Sequence, residues 1–165
     1  MIRKALEKDI VGIHRLLGQV LLVHHNIRPD LYKKDGAKYT EEQLKGIINN
    51  PLTPTFVYVD DNDNVLGHLF FQVIHNKETS NTHSYTTLYI DDICIDKNSR
   101  HKSIGTALFN FAKEYAKTIG AYNITLHVWT GNNEAEAFYK KMGMTPQYTS
   151  MEMIMSPATF QQRFS

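Results

Sequence analysis

The stretch that most constrains this chain is Tyr85–Ile95, YTTLYIDDICI, a run of β-branched and aromatic residues that passes through the short basic connection DKNSRHKS into a helix-forming segment. In that segment Ile104, Ala107, Leu108, Phe111, Ala112, Tyr115 and Ile119 recur on one face at helical spacing, and Gly120 marks its end. A strand handed directly to an amphipathic helix calls for a sheet covered by helices, which sets aside both an all-helical bundle and an all-β sandwich.

The flanking segments extend the same pattern. A short strand is expected at Ile2–Leu6, then a helix capped by Asp9, with Ile10, Ile13, Leu17, Val20 and Leu21 on one face and an end near His24. HNIRPDLYKKDGAKY reads as a connection, and Thr40 with Gln43 forms a capping box opening a second helix that stops before Pro51. Thr55–Val59 and Val65–Ile74 read as a hairpin around the DDND turn. After Gly120 come a strand at Tyr122–Val128, a helix at Asn132–Met142 and a last strand near Gln147–Met155. The order β-α-α-β-β-β-α-β-α-β predicts a mixed α/β (α+β) sheet with helices on both sides.

With 165 residues, 42% apolar and 21% charged, the chain suits one domain over residues 1–165 with its own core. The net charge of +1 gives no global field for nucleic acid or membrane, so any anion site must be local. MIRKALEKDIVGIHRLL lacks the apolar core of a signal peptide and no window approaches a membrane span, which points to the cytoplasm. Cys94 is the sole cysteine; its ICI setting reads as a buried strand thiol with no base beside it.

Two motifs carry chemistry. Arg100-His101-Lys102-Ser103-Ile104-Gly105-Thr106 lies where the strongest strand meets the strongest helix, so first-turn N–H groups and the helix dipole can converge on an anion. Gly105 permits close backbone approach, and Arg100, His101 and Lys102 bring cationic or donor groups; a pyrophosphate suits the site. Asn132-Asn133-Glu134-Ala135-Glu136-Ala137-Phe138-Tyr139-Lys140-Lys141-Met142-Gly143 follows downstream.

Together these segments resemble the two signatures of the GNAT acetyltransferase superfamily. The first is its pyrophosphate loop, with Ser103 standing where a glycine is usual; the second matches at Asn132, Ala135, Phe138, Tyr139 and Gly143. The resemblance implies the GNAT fold, a mixed and mostly antiparallel sheet of six to seven strands flanked by about four helices. It implies acetyl-coenzyme A as co-substrate, with the pantetheine arm laid against Ile93, Cys94 and Ile95 and a backbone N–H near Ile95 polarising the thioester carbonyl. Asn132 would contact the coenzyme, and Tyr139 would serve the departing sulfur as general acid. LYIDDICI is similar to the matching strand of the diamine (spermidine/spermine) acetyltransferases, which makes Asp91 the candidate base and Asp92 the second candidate. Neighbouring strand residues face opposite sides of a sheet, so one of the two is expected in the acceptor cleft. His25, Arg28 and Tyr32 fall where members carry an acceptor-facing loop. Members are often dimers, so a homodimer is among the assemblies the resemblance implies.

No metal is expected: the eight histidines show no HExxH or comparable cluster, and Asp60–Asn64 lacks the glycine and glutamate of a calcium loop. The expected activity is direct acetyl transfer to a primary amine of a small molecule in a ternary complex. A protein N-terminal or lysine acetyltransferase and a non-catalytic acyl-coenzyme A sensor remain as alternatives.

Overall fold

A computed structural model describes residues 1–155. Its elements are β1 (Ile2–Lys4), α1 (Ile10–Ile27), α2 (Glu41–Asn49), β2 (Thr55–Val59), β3 (Val65–Asn76), β4 (Tyr85–Ile95), α3 (Ile104–Thr118), β5 (Asn123–Thr125) and α4 (Asn133–Lys141). The five strands form one sheet in the order β1-β2-β3-β4-β5, antiparallel except for the β4–β5 pair. This is a GNAT-like α/β fold with four helices, two on each face.

Period-two alternation divides the core between those faces. Val57, Val59, Phe70 and Cys94 pack with Ile13, Leu16, Leu17, Leu44 and Ile48 beneath α1 and α2. Leu69, Phe71, Leu88 and Ile90 pack with Ile104, Leu108, Phe109 and Ala112 beneath α3, and Phe138, Tyr139 and Met142 of α4 close that side. Each fully buried Leu, Ile or Phe contributes about 1.5–3 kcal/mol, so both faces are strongly held.

Local signals explain most boundaries. The Thr40–Gln43 box forms as expected, with Gln43 N–H donating to Thr40 Oγ1 at 3.2 Å and Thr40 N–H to Gln43 Oε1 at 2.9 Å. Asp9 does not cap α1 through its side chain; it accepts the Leu6 N–H and the Arg3 guanidinium. α1 runs past His24 to Ile27, because the first obstacle is Pro29, which excludes the helical region at Arg28 (φ −132°, ψ 67°). Gly143 (φ 98°) ends α4 in the left-handed conformation that the Met144 N–H to Tyr139 carbonyl bond requires.

The sheet is smaller than the six to seven strands expected. β5 spans three residues, not Tyr122–Val128, and Gln147–Met155 forms no strand among the described residues. Alternation such as MEMIM reports side-chain pattern, whereas a strand exists only through hydrogen bonds to a neighbour. Met151, Met153 and Met155 are 92%, 82% and 80% exposed and take no such neighbour among the described residues.

Candidate active site

The acidic pair sits on a β-bulge. In the β3–β4 ladder Phe70 opposes Asp92 and Phe71 opposes Ile90, so Asp91 is the extra residue. The bulge cancels the alternation that predicted opposite faces: both carboxylates make their bonds with groups of the α1–α2 face. Asp91 Oδ2 accepts from Tyr39 Oη at 2.6 Å and from Lys38 Nζ at 2.9 Å. Asp92 Oδ2 lies 2.8 Å from His68 Nε2. The Tyr39 and His68 rings both pack on Phe70, at centroid distances of 6.1 and 4.8 Å.

His68 is wholly buried, and its Nδ1 has no hydrogen-bond partner among the described residues. An ionised carboxylate only accepts, so the contact with Asp92 assigns a proton to Nε2. The charge of Asp92 reaches further than that of Asp91. Burial, then Asp92, holds the Tyr139 phenol well above its usual range. Burial, then Asp92, pushes the Cys94 thiol up to about 12, which removes it as a nucleophile at neutral pH. On the other side Asp92 opposes the burial that lowers His24, while burial and then Asp91 raise Tyr39 and Tyr89, with Asp92 a smaller contributor. Asp92 therefore acts on groups from both faces of the sheet.

Beside the bulge the sheet opens. β5 pairs with β4 only at Thr87–Tyr89, while β4 stays paired with β3 as far as Ile95. From Ile90 to Ile95 the β5-side edge of β4 thus has no strand beside it among the described residues, including Ile93, Cys94 and Ile95. At the end of that edge Asp96, paired with Arg15, accepts the Asn98 N–H at 2.9 Å and anchors the turn leading to α3. Within the turn His101 (φ 63°) and Ser103 (φ 60°) both adopt the left-handed conformation. Ser103 makes no side-chain cap, so the first-turn N–H groups of Ile104, Gly105 and Thr106 are left to an external acceptor. Two left-handed residues beneath a helix N-terminus turn the backbone so that first-turn N–H groups face an anion, and Arg100, His101, Lys102 and Thr106 stand exposed around it.

Gly105 has a further role. A Cβ there would lie 3.3 Å from Ile95 Cδ1, slightly tight, and 3.5 Å from Phe138 Cζ, an ordinary contact, so α3 packs closely at this point against the end of β4 and against α4. Asn132 caps α4 by accepting the Ala135 N–H at 3.3 Å, and its amide N–H groups remain for a ligand. Tyr139 leans on Phe109 at 6.1 Å beneath the same opening. These residues fit a coenzyme A thioester: an anion cradle, an open strand edge and a half-buried phenol.

The model of the Acetyltransferase (GNAT) family matches residues 21–144, from within α1 to the end of the second motif. The chain belongs to this family. Among GNAT relatives it is 30% identical over 119 residues to an uncharacterized N-acetyltransferase in the pepI 3′ region of Lactobacillus delbrueckii subsp. lactis, covering 68% of this chain and 66% of that one. It is 41% identical over 64 residues to an uncharacterized N-acetyltransferase of Methanocaldococcus jannaschii, covering 39% of this chain and 28% of that protein's length. A Bacillus halodurans protein solved as a point mutant superposes with a TM-score of 0.90 at 25% identity, over 94% of this chain and 99% of the other.

His25, Arg28 and Tyr32 are brought together with Trp129. Arg28 bonds Asp30 and Glu152 and lies 5.1 Å over the Trp129 ring; Trp129 Nε1 donates to Tyr32 Oη at 3.0 Å; His25 Nδ1 meets the Tyr32 carbonyl at 2.7 Å. Arg28 and Tyr32 thereby tie the loop to the segment after β5, while His25, in the last turn of α1, reaches only the loop's own Tyr32 carbonyl. Sequence reasoning missed His68, Lys38 and Tyr39. The polar residue inside LGHLFF was a usable signal for His68, whereas nothing in the connection marked Lys38 or Tyr39. No group of three or more His, Cys, Asp or Glu among the described residues could hold a metal ion, and no described helix is long and apolar enough to cross a membrane.

Proposed function

We propose that this chain transfers an acetyl group from acetyl-coenzyme A directly to a primary amine of a small molecule, in a ternary complex and without a covalent acyl-enzyme. The observation that carries this reading is the bulge that turns Asp91 and Asp92 to one face of β4, with Asp92 bonded to His68, at the place where β4 parts from β5.

The coenzyme brings an activated thioester whose acyl carbon accepts the amine. The turn Arg100–Thr106 binds its phosphates through backbone N–H groups, and the open edge Ile93–Ile95 pairs with its amide-bearing arm. Asp92, held in place by His68, accepts a proton from the incoming ammonium. As the C–N bond forms and the C–S bond breaks, Tyr139 gives its proton to the departing sulfur, and the second proton lost by the acylated nitrogen returns through water to the Tyr139 phenolate; the elevated Tyr139 pKa keeps its proton available at neutral pH. Asp92 replaces Asp91 as the first candidate base, because Asp91 is already engaged by Lys38 and Tyr39. Cys94 contributes backbone only. The acidic pair, which resembles that of the diamine acetyltransferases, supports a cationic acceptor drawn from polyamine-like compounds, amino acids and aminoglycosides.

The test is incubation with acetyl-coenzyme A and a panel of such amines, reading thiol release and acetylated product. Turnover with at least one amine is expected. Tight coenzyme binding with no turnover on any of them contradicts the proposal.

A further inference from the structure

We infer that Lys38 fills a built ammonium subsite at Asp91, so that the acceptor is a monoamine and a second ammonium on it gains nothing. The inference rests on the amine-acetyltransferase reading above and narrows its acceptor.

The bulge makes the subsite. Asp91, the residue without a partner in the ladder, offers both its carboxylate and its carbonyl oxygen, and Lys38 Nζ binds them at 2.9 and 3.1 Å. The same ammonium lies 5.2 Å from the centre of the Tyr39 ring, whose hydroxyl donates to Asp91 at 2.6 Å. Carboxylate, carbonyl and aromatic face are the three partners an alkylammonium uses when it leaves water. Here the protein's own side chain occupies them.

Charge then separates the two carboxylates. Asp91 is neutralised by Lys38, while Asp92 has only His68 beside it and acts on Tyr139. One uncompensated carboxylate matches one reacting ammonium. Lys38 is 43% exposed along its side chain, so a dication could push it into water. That exchange replaces one ammonium by another on the same oxygens and yields no net affinity. Lys38 thus sets acceptor specificity without touching the reacting atoms.

The experiment compares cadaverine with n-pentylamine, equal in length and differing by one ammonium, on the parent, Lys38→Met, Lys38→Gln and Lys38→Met/Asp91→Asn proteins. Calorimetric binding and kcat/KM are both measured, and thermal melts confirm that each variant is folded. In the parent the two amines should bind within about threefold of one another, whereas either Lys38 variant should favour the diamine by roughly tenfold or more, the scale of one charge-assisted pair. The double variant should return to the parent ratio. An unchanged ratio in both Lys38 variants, a parent that already prefers the diamine tenfold, or no amine binding to any of the proteins overturns the inference. Binding in the expected ratios with no acetyl transfer sustains the subsite and removes the catalytic reading instead.

Discussion

The α3–α4 face and the α1–α2 face of the sheet contribute to the candidate site by different means. On the first, the means are mainly backbone and shape: left-handed residues at 101 and 103, a missing Cβ at Gly105, an unpaired edge from Ile90 to Ile95 and an aromatic wall of Phe109, Phe138 and Tyr139. On the second, the means are side-chain charge: Lys38–Asp91–Tyr39 and His68–Asp92. Backbone cradles depend on spacing and glycine placement, so they leave a motif in the sequence. Networks of charge depend on residues from β3, β4 and a loop meeting in space, and leave none.

If the division is real, each face should respond to mutation in its own way. A large effect belongs to Tyr139→Phe, which removes the proton donor and should lower kcat by roughly a hundredfold with coenzyme binding little changed. In the parent, the elevated Tyr139 pKa means that this group imposes no fall in kcat between about pH 7 and 9.5, which a pH–rate profile checks. A coenzyme Kd that weakens in step with kcat would place the tyrosine in binding and blur the two faces.

Next comes His68→Phe, which keeps a ring on Phe70 but leaves Asp92 without its bond. It should cost roughly tenfold or more in kcat, with coenzyme Kd unchanged and partial recovery in His68→Asn. Loss of coenzyme binding would show that the faces are not separable.

A smaller and opposite effect is expected at Ser103→Gly. Relieving a left-handed serine should stabilise the fold by about 1 kcal/mol, a rise in Tm of roughly 2–4 °C. Coenzyme binding should persist, because the cradle is made of backbone. The smallest response is that of Cys94: with its thiol pushed up to about 12 and buried, iodoacetamide at neutral pH should label it only after unfolding.

The fold was legible in proportion to its periodicity. α3, β4 and the α2 capping box lie where spacing put them, since each combines a repeat with a punctuating residue such as Gly120 or Thr40. β5 and the stretch near Gln147–Met155 misled, because alternation looks the same in an extended segment that pairs with nothing. At the site the two motifs were readable and the acidic pair was noticed. Its orientation was not, because a single bulged residue, invisible in composition, turns Asp91 and Asp92 to one side.

That turn makes one comparison decisive. Asp91→Asn and Asp92→Asn should be assayed side by side with acetyl-coenzyme A and one monoamine acceptor, reading kcat and acceptor KM. The account predicts that Asp92→Asn loses at least about a hundredfold in kcat, while Asp91→Asn, whose carboxylate Lys38 already fills, keeps both kcat and acceptor KM within about tenfold. The reverse pattern, with kcat collapsing in Asp91→Asn and surviving in Asp92→Asn, would contradict it.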